Sequence, residues 1–427
     1  FQIFEMVCLE FEVLPESSLR NDILELVLGT PINQVISALQ NASKVVRNVD
    51  LIFSQEKDIT ITLKNDGIRL SFDGESQLLK LIEVFDFKNI TLKYCEFVFS
   101  SPEEEANINK IEKVFGATLP GVYDEEQKMY LLKWRGVCFC FPAKDSSAIQ
   151  SYAHGLGSLQ FSNNSVPFLQ RMMIYSGNNP SEPKLPEMPL MAYCGNPSLK
   201  SVQSITESGK ISGLKFLYYA EDSPPNSNKK LVNPPLFERI VRLGDTEQSV
   251  LSALGAPNKV FFKSDEKMLI QRCPSQVKID DSKPDMFFNY FTLGTDVLID
   301  NKTRRVLKFI LHTNVPGHYD FGIYAKCNFS IQVPGTNTCI KTESKLEEFR
   351  QIFLTPDEEG GEIIKPVVLN KSSTNGGENP FGSTFCYGRE QVIMEVLDKS
   401  FIATVIIYGD QSGSVDESTD ESLDISD

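Results

Sequence analysis

Histidine is almost missing from this 427-residue sequence, with only His154, His312 and His318. So little imidazole leaves few places for a multi-histidine metal centre or a histidine-driven nucleophile. The nine cysteines, at 8, 95, 138, 140, 194, 273, 327, 339 and 386, include no C-x-x-C pair, which removes a zinc ribbon and a thioredoxin-like motif. No G-x-S-x-G occurs, and no glycine pattern of the kind that cradles phosphate; "HGLGS" at 154–158 reads as a turn. Positive charge is in deficit, with a net charge of -15 and a pI of about 4.9. That balance excludes general nucleic-acid binding and whole-surface attraction to anionic lipid. No window approaches the roughly eighteen apolar residues of a membrane span. The opening "FQIFEMVCLEFEVLP" has no basic stretch leading into a long apolar core and reads as a strand, not a signal peptide.

What is present is a repeat. "LGTPINQVISALQNASKV" at 28–45 returns as "LGDTEQSVLSALGAPNKV" at 243–260 in one register, 215 residues later. Internal self-similarity decides architecture before any local motif does. In the first copy Ile32, Val35, Ile36 and Leu39 fall at helical spacing, with Thr30 as N-cap and Pro31 at the first helical position. Its partner starts at Asp245, with Val250, Leu251 and Leu254 on one face, and stops at "GAP". A strand pair follows each copy: "DGIRLSFDGESQLLKLIEV" at 66–84 and "LGTDVLIDNKTRRVLKFIL" at 293–311. A weaker echo within each half, closing on "IYSG" and "IIYG", suggests two modules per half.

The expected fold is therefore α+β, made of internally duplicated modules of helix plus antiparallel β-sheet in two tandem halves. The expected N-terminal half is 1–220, with modules at about 9–100 and 106–177. A Pro- and Asn-rich linker at 221–235 leads to a C-terminal half at 236–409, with modules at about 242–331 and 344–409. The tail at 410–427 carries seven carboxylates and no basic residue, and is expected to be disordered. Within it Ser418 stands three residues before Glu421, the spacing of an acidophilic kinase substrate.

Four constellations could carry chemistry. His312 and His318 flank a Pro-Gly turn, where Asp320 or Cys327 could complete a metal site; the spacing is generic and favours a hydrogen-bonded turn instead. Cys386 and the pair Cys138 and Cys140 are thiol candidates, but each lies in an apolar strand-like run where cysteine behaves as a small hydrophobe. In "GVCFCF" the two thiols face one side of the strand and Phe139 and Phe141 the other. Lys302, Arg304, Arg305 and Lys308 gather cations at a hairpin and are the candidate phosphoinositide contact, weighed against a solvated strand edge. Scattered cysteines in apolar runs suit a reducing cytosol.

Long strings place the chain beside one eukaryotic family. "YFTLGTDVLID", "KFILHTNVPGHYDFGIYAKCNF", "NPFGSTFCYG", "FGATLPGVYD", "AHGLGSLQF" and "VFFKSDEKM" resemble the phagosome assembly factor 1 family, from about Leu9 to Gly409. That resemblance implies a non-enzymatic autophagy regulator, without cofactor, metal or catalytic residues. It implies a complex with a WD40 β-propeller protein of the breast carcinoma amplified sequence 3 type. It also implies a cytoplasmic protein recruited to phagophore assembly sites, with phosphoinositide recognition belonging to the complex. The candidate partner surface is Pro316, Gly317, His318 and Tyr319 with the segment Asn379–Thr384, led by Asn379, Pro380 and Phe381. The alternatives are a lipid or small-ligand carrier with an apolar cavity and an enzyme using Cys386 or His318.

Overall fold

The computed structural model describes residues 8–53, 58–116, 118, 121–142, 167–194, 197–220, 236–262, 284–354, 365–370, 382–397 and 401–409. They fall into two compact units. One holds the described parts of Phe1–Pro197 with Phe321–Ala325; the other holds those of Ser198–Ala220, Pro235–Asp320 and Lys326–Asp427.

The first half opens with strands β1 (Leu9–Leu14), β2 (Ser18–Arg20) and β3 (Glu25–Val27), then helix α1 (Ile32–Asn41). Six strands follow: β4 (Val49–Ile52), β5 (Ile59–Leu63), β6 (Ile68–Phe72), β7 (Leu79–Val84), β8 (Ile90–Tyr94) and β9 (Phe97–Ser100). Helix α2 (Ile108–Phe115) leads to β10 (Val122–Asp124), β11 (Met129–Trp134), β12 (Val137–Pro142) and β13 (Arg171–Tyr175). They build a five-stranded sheet, β3-β2-β1-β8-β9, and an eight-stranded sheet, β10-β11-β12-β13-β7-β6-β5-β4.

The second half repeats this order. It runs β14 (Leu199–Glu207), β15 (Lys210–Tyr219), β16 (Leu236–Arg242), helix α3 (Glu247–Leu254) and β17 (Lys259–Phe262). Then come β18 (Met286–Tyr290), β19 (Thr295–Ile299), β20 (Val306–His312), β21 (Phe329–Gln332) and β22 (Cys339–Lys341). A 3-10 turn (Leu346–Phe349) runs into the short helix α4 (Arg350–Phe353), and β23 (Val367–Asn370), β24 (Ser383–Arg389), β25 (Val392–Val396) and β26 (Ile402–Tyr408) close the half. The sheets are β16-β15-β14-β21-β22 and β17-β18-β19-β20-β26-β25-β24-β23, the orders of the first half over again. Pairing is antiparallel throughout except for β1 with β8 and β14 with β21, which are parallel.

Strand sequences explain the layering. In β6, Ile68, Leu70 and Phe72 are fully buried while Arg69 and Ser71 alternate with them at the margin. Phe11, Val13 and Leu92 of the small sheet share one core with Ile61, Phe72 and Phe139 of the large one, closed at its margins by Val35 and Leu39 of α1 and Ile111 of α2. Each such side chain contributes about 1.5–3 kcal/mol on burial. A matching core in the second half joins Phe216, Phe329, Phe309, Val405 and Phe349. The expectation of α+β modules is thereby corrected: the chain is mostly β, four sheets in two tandem halves. The helical periodicity at 28–45 is real, but it buys one helix of ten residues in a half where sheet faces sheet. Helices of eight to ten residues seal the ends of that core and do not form a layer of their own.

The duplication extends to individual hydrogen bonds. At the β6–β7 tip the Ser76 amide and hydroxyl both donate to Asp73 Oδ2, and Gln77, at φ 58°, donates its amide to the Asp73 carbonyl. At the β19–β20 tip Thr303 does the same to Asp300 Oδ2, and Arg304, at φ 56°, donates its amide to the Asp300 carbonyl. An Asp with Ser or Thr three residues on satisfies the turn's own amides. Both tips dock beside the start of the preceding helix, through Pro31 with Leu78 and Thr246 with Arg305. The helix starts shift by one residue from expectation: Pro31 and Thr246 are the N-caps. Thr246 Oγ1 accepts the Ser249 amide at 3.2 Å, whereas proline offers α1 no side-chain cap.

Candidate functional site

The clearest divergence between the halves is a loop. Five residues, 85–89, join β7 to β8, whereas sixteen, 313–328, join β20 to β21. The longer loop carries the "PGHYD" turn; its residues up to Asp320 complete a buried polar network on the second eight-stranded sheet, while Phe321–Ala325 belong to the first unit.

Neighbouring strands supply the floor of that network. Asn289 and Asp296 are register partners on β18 and β19, as are His312 and Thr404 on β20 and β26, and Thr404 and Glu395 on β26 and β25. Asn289 Nδ2 donates to Asp296 Oδ1 at 2.8 Å, and His312 Nε2 lies 3.0 Å from Asp296 Oδ2. From the loop, Asp320 bridges both imidazoles: its Oδ2 is 3.1 Å from His312 Nδ1, and its Oδ1 bonds His318 Nδ1. His318 Nε2 lies 3.3 Å from Glu395 Oε1, and Glu395 accepts from Thr384 Oγ1 at 2.7 Å and Thr404 Oγ1 at 3.0 Å. Thr313 Oγ1 anchors the loop start on the carbonyls of Ile402 and Ala403 at 2.7 and 2.8 Å. His312 and His318 are 4% and 2% exposed, so the cluster is sealed from solvent.

Burial alone pushes both imidazoles toward the neutral form. Hydrogen bonds and charge from Asp296 and Asp320 outweigh it for His312, whose pKa rises to about 9; Asp320 and Glu395 likewise raise His318. Burial pushes Asp320 up, but its bonds to the two rings prevail and hold its carboxyl far below the usual range. Two imidazoles facing three carboxyl groups thus form a charge-assisted clasp on the loop. At the matching place in the first half the sheet carries a half-exposed ion network instead: Arg69 and Arg171 each reach Glu83 at 2.8 Å. Asp296 stands where Arg69 stands when the two hairpins are aligned on Asp73 and Asp300.

The sequence-predicted residues divide on this map. His318 points inward to the clasp; Pro316 is half-buried; Gly317 and Tyr319 are exposed, Tyr319 with its ring 4.3 Å from that of His318. Asn379, Pro380 and Phe381 lie outside the described residues, as do His154, the segment 221–235 and the tail at 410–427. Of the hairpin cations, Arg304 pairs with Glu247 at 3.1 Å and Arg305 donates to the Gly244 carbonyl at 2.7 Å. Lys308 sits 5.8 Å over the Phe287 ring, and Lys302 is exposed at the tip. Asp320 does meet both histidines, but Cys327 lies apart, 3.8 Å from Thr295 Oγ1. Among the described residues no group of three or more His, Cys, Asp or Glu side chains has metal-holding geometry. Cys138 and Cys140 pack in a small cluster with Met129, Leu131 and Tyr175, while Phe139 and Phe141 enter the main core. The adjacent Cys140 sulfur and burial keep the Cys138 thiol protonated, and burial pushes Cys327 up to about 12. Sequence reasoning took Thr384 as the end of a partner segment, whereas Thr384 is buried against Glu395, and it missed Asp296, Glu395 and Thr404. Their signal was a single polar residue inside an apolar strand, as in "TDVLI" and "VIMEV".

Comparison with known proteins fits the strings noted in the sequence. The family model described as phagosome assembly factor 1 matches residues 22–408. A Caenorhabditis elegans PHAF1 protein is 40% identical over 93% of this chain and 94% of its own length. A Drosophila melanogaster PHAF1 protein is 39% identical over 94% of each, and an Arabidopsis thaliana one 28% identical over 89% of each. No solved structure matches. With a family model spanning nearly the whole folded chain and relatives near 40% identity, the chain belongs to the phagosome assembly factor 1 family.

Proposed function

We propose that the protein is a non-enzymatic adaptor of autophagy. It offers folded surface to a WD40 β-propeller protein of the breast carcinoma amplified sequence 3 type and is recruited with it to phagophore assembly sites. Family membership fits an autophagy-related role, and the relatives' family is described as an assembly factor. One observation carries the non-enzymatic part. Among the described residues, the cluster of titratable groups around His312 and His318 is spent on holding residues 313–320, and its imidazoles face carboxylates instead of solvent. A general base needs an approachable proton acceptor.

The same clasp makes the loop a fixed platform, and preorganised surface loses less ordering entropy on binding. Pro316, Gly317 and Tyr319, with Asn379, Pro380 and Phe381, are the proposed partner contacts. A phosphoinositide contact is assigned to the complex, with Lys302 leading; Arg304 and Arg305 would first have to give up Glu247 and the Gly244 carbonyl. The test is co-precipitation of a WD40 partner from cells by the full chain and by Tyr319→Ala. Recovery by the full chain and loss with Tyr319→Ala supports the assignment. Failure of the full chain to recover any WD40 protein refutes the adaptor reading.

A further inference from the structure

Because the two halves share strand order and the hydrogen bonds of their hairpin tips, a position covered in one and open in the other is informative. Helix α1 is covered. Gln34 Nε2 donates to the Ala192 carbonyl at 2.5 Å, and Asn33 Nδ2 reaches the Ile323 carbonyl at 3.4 Å. Gly29, at φ 84°, lies so close to the chain at 187–189 that an added Cβ would stand 2.1 Å from the Glu187 carbonyl oxygen. Residues 184–194, "KLPEMPLMAYC", thus lie along the start of the first helix, with the Ala192 carbonyl presented to Gln34, while Asn33 meets the separate segment at Ile323.

The equivalent face of α3 is bare among the described residues. Gly244 has the same backbone conformation, φ 83°, yet an added Cβ would meet nothing within 4 Å. Gln248 and Ser249, the counterparts of Asn33 and Gln34, are exposed and line an open groove of about 650 Å³ between α3 and β16. Leu251 is 37% exposed, whereas its counterpart Ile36 packs on the first core and lies against Gly322. On the groove wall stands Arg239. Its guanidinium lies over the Phe237 ring and reaches only the Glu238 carbonyl, at 3.5 Å, with no carboxylate in salt-bridge range among the described residues.

We propose that the α3–β16 groove is a docking site for an extended, proline-bearing segment of a partner protein that carries a carboxylate. The helix would hold a main-chain carbonyl through Ser249, as Gln34 of α1 holds that of Ala192, with Gln248 beside it on the groove wall. Arg239 supplies the charge complement, since a guanidinium fork suits a carboxylate in two-bond geometry. Proline favours such an occupant because its extended conformation is largely preformed. This surface is independent of whether the autophagy partner is a propeller.

The probe is a synthetic peptide of the chain's own 184–194 sequence with Cys194→Ser, titrated into the full-length protein by calorimetry. Binding of one peptide per chain is expected, weakened at least tenfold by Ser252→Arg on the groove rim and about three- to tenfold by Arg239→Ala. Ser37→Arg, the matching change on α1, should leave it unaltered. No heat at millimolar peptide overturns the proposal, as does equal weakening by Ser37→Arg or indifference to Ser252→Arg. A tenfold gain in affinity on removing 410–427 would assign the groove to the chain's own acidic tail instead. Concentration-dependent dimerisation abolished by Ser252→Arg would assign it to a second copy. Both results also overturn the proposal.

Discussion

Replacing Asp320 by asparagine should loosen the second half by about 3–5 kcal/mol. The carboxylate holds two buried imidazoles at once, and each hydrogen bond to a charged partner contributes about 1.5–3 kcal/mol. Removing one member of a buried charged cluster also leaves the others uncompensated, a cost of about 3–5 kcal/mol. For a unit of this size such a loss lowers the melting temperature by about 10 °C. The pH dependence gives an independent handle. His312, raised to about 9, contributes fully below its unfolded value near 6.5 and loses that contribution as pH rises through 9, a swing of about 3 kcal/mol. Asp320, held far down, contributes above its ordinary value near 3.9 and loses the contribution as pH falls. Wild type should therefore lose stability between pH 7 and 9.5 in the second-half transition, and Asp320→Asn should flatten that limb. Calorimetric scans across this range read both effects. A loss below about 1 kcal/mol for Asp320→Asn, or an alkaline limb unchanged from wild type, would refute the charged-clasp account.

Other consequences are simpler to read. Gly29→Ala and Gly244→Ala should part company in chemical denaturation. Both meet the left-handed strain of about 1–2 kcal/mol, but only Gly29→Ala also collides with the Glu187 carbonyl. Thr246→Ala should cost about 1 kcal/mol through loss of the α3 cap; an unaltered denaturation midpoint would contradict the capping bond. Native-state alkylation at pH 8 with mass mapping should mark the exposed Cys8, Cys95, Cys194 and Cys339 and spare Cys138, Cys140 and Cys327. Rapid labelling of Cys138 would mean that its β12 packing opens.

Turn chemistry made the duplication legible in the sequence. Gly29 and Gly244, and Asp73 and Asp300 with their Ser or Thr partners, have few residue types that can replace them, so the signal survived between halves. The helix spacing was equally clear, yet it misled about class. Periodicity finds an amphipathic face but does not say whether helices or a second sheet cover the opposite layer. Phe99 of the small sheet edge-on to Phe139 of the large one, ring centres 5.9 Å apart, is a fact of the tertiary fold. The polar clasp was half visible: His312, His318 and Asp320 stood out as a cluster, but Asp296 and Glu395 are separated from them by strand order. Only the β19-β20-β26-β25 neighbourhood brings them within reach.

The parallel pairing of β1 with β8 and of β14 with β21 governs how the chain must be handled. Partners such as Phe11 and Leu92 are some eighty residues apart, and Val202 and Phe329 well over a hundred. Closing such long loops precedes any reward from the contacts, so each half should nucleate late and fold slowly. β13, moreover, pairs with β7 across the whole intervening hairpin array. A cut inside 221–235 would strip β14 and β15 from β16 and from β21, leaving a long apolar ribbon with no sheet to join. Fragments cut there should precipitate, whereas a cut near residue 197 keeps each set of strands with its own partners.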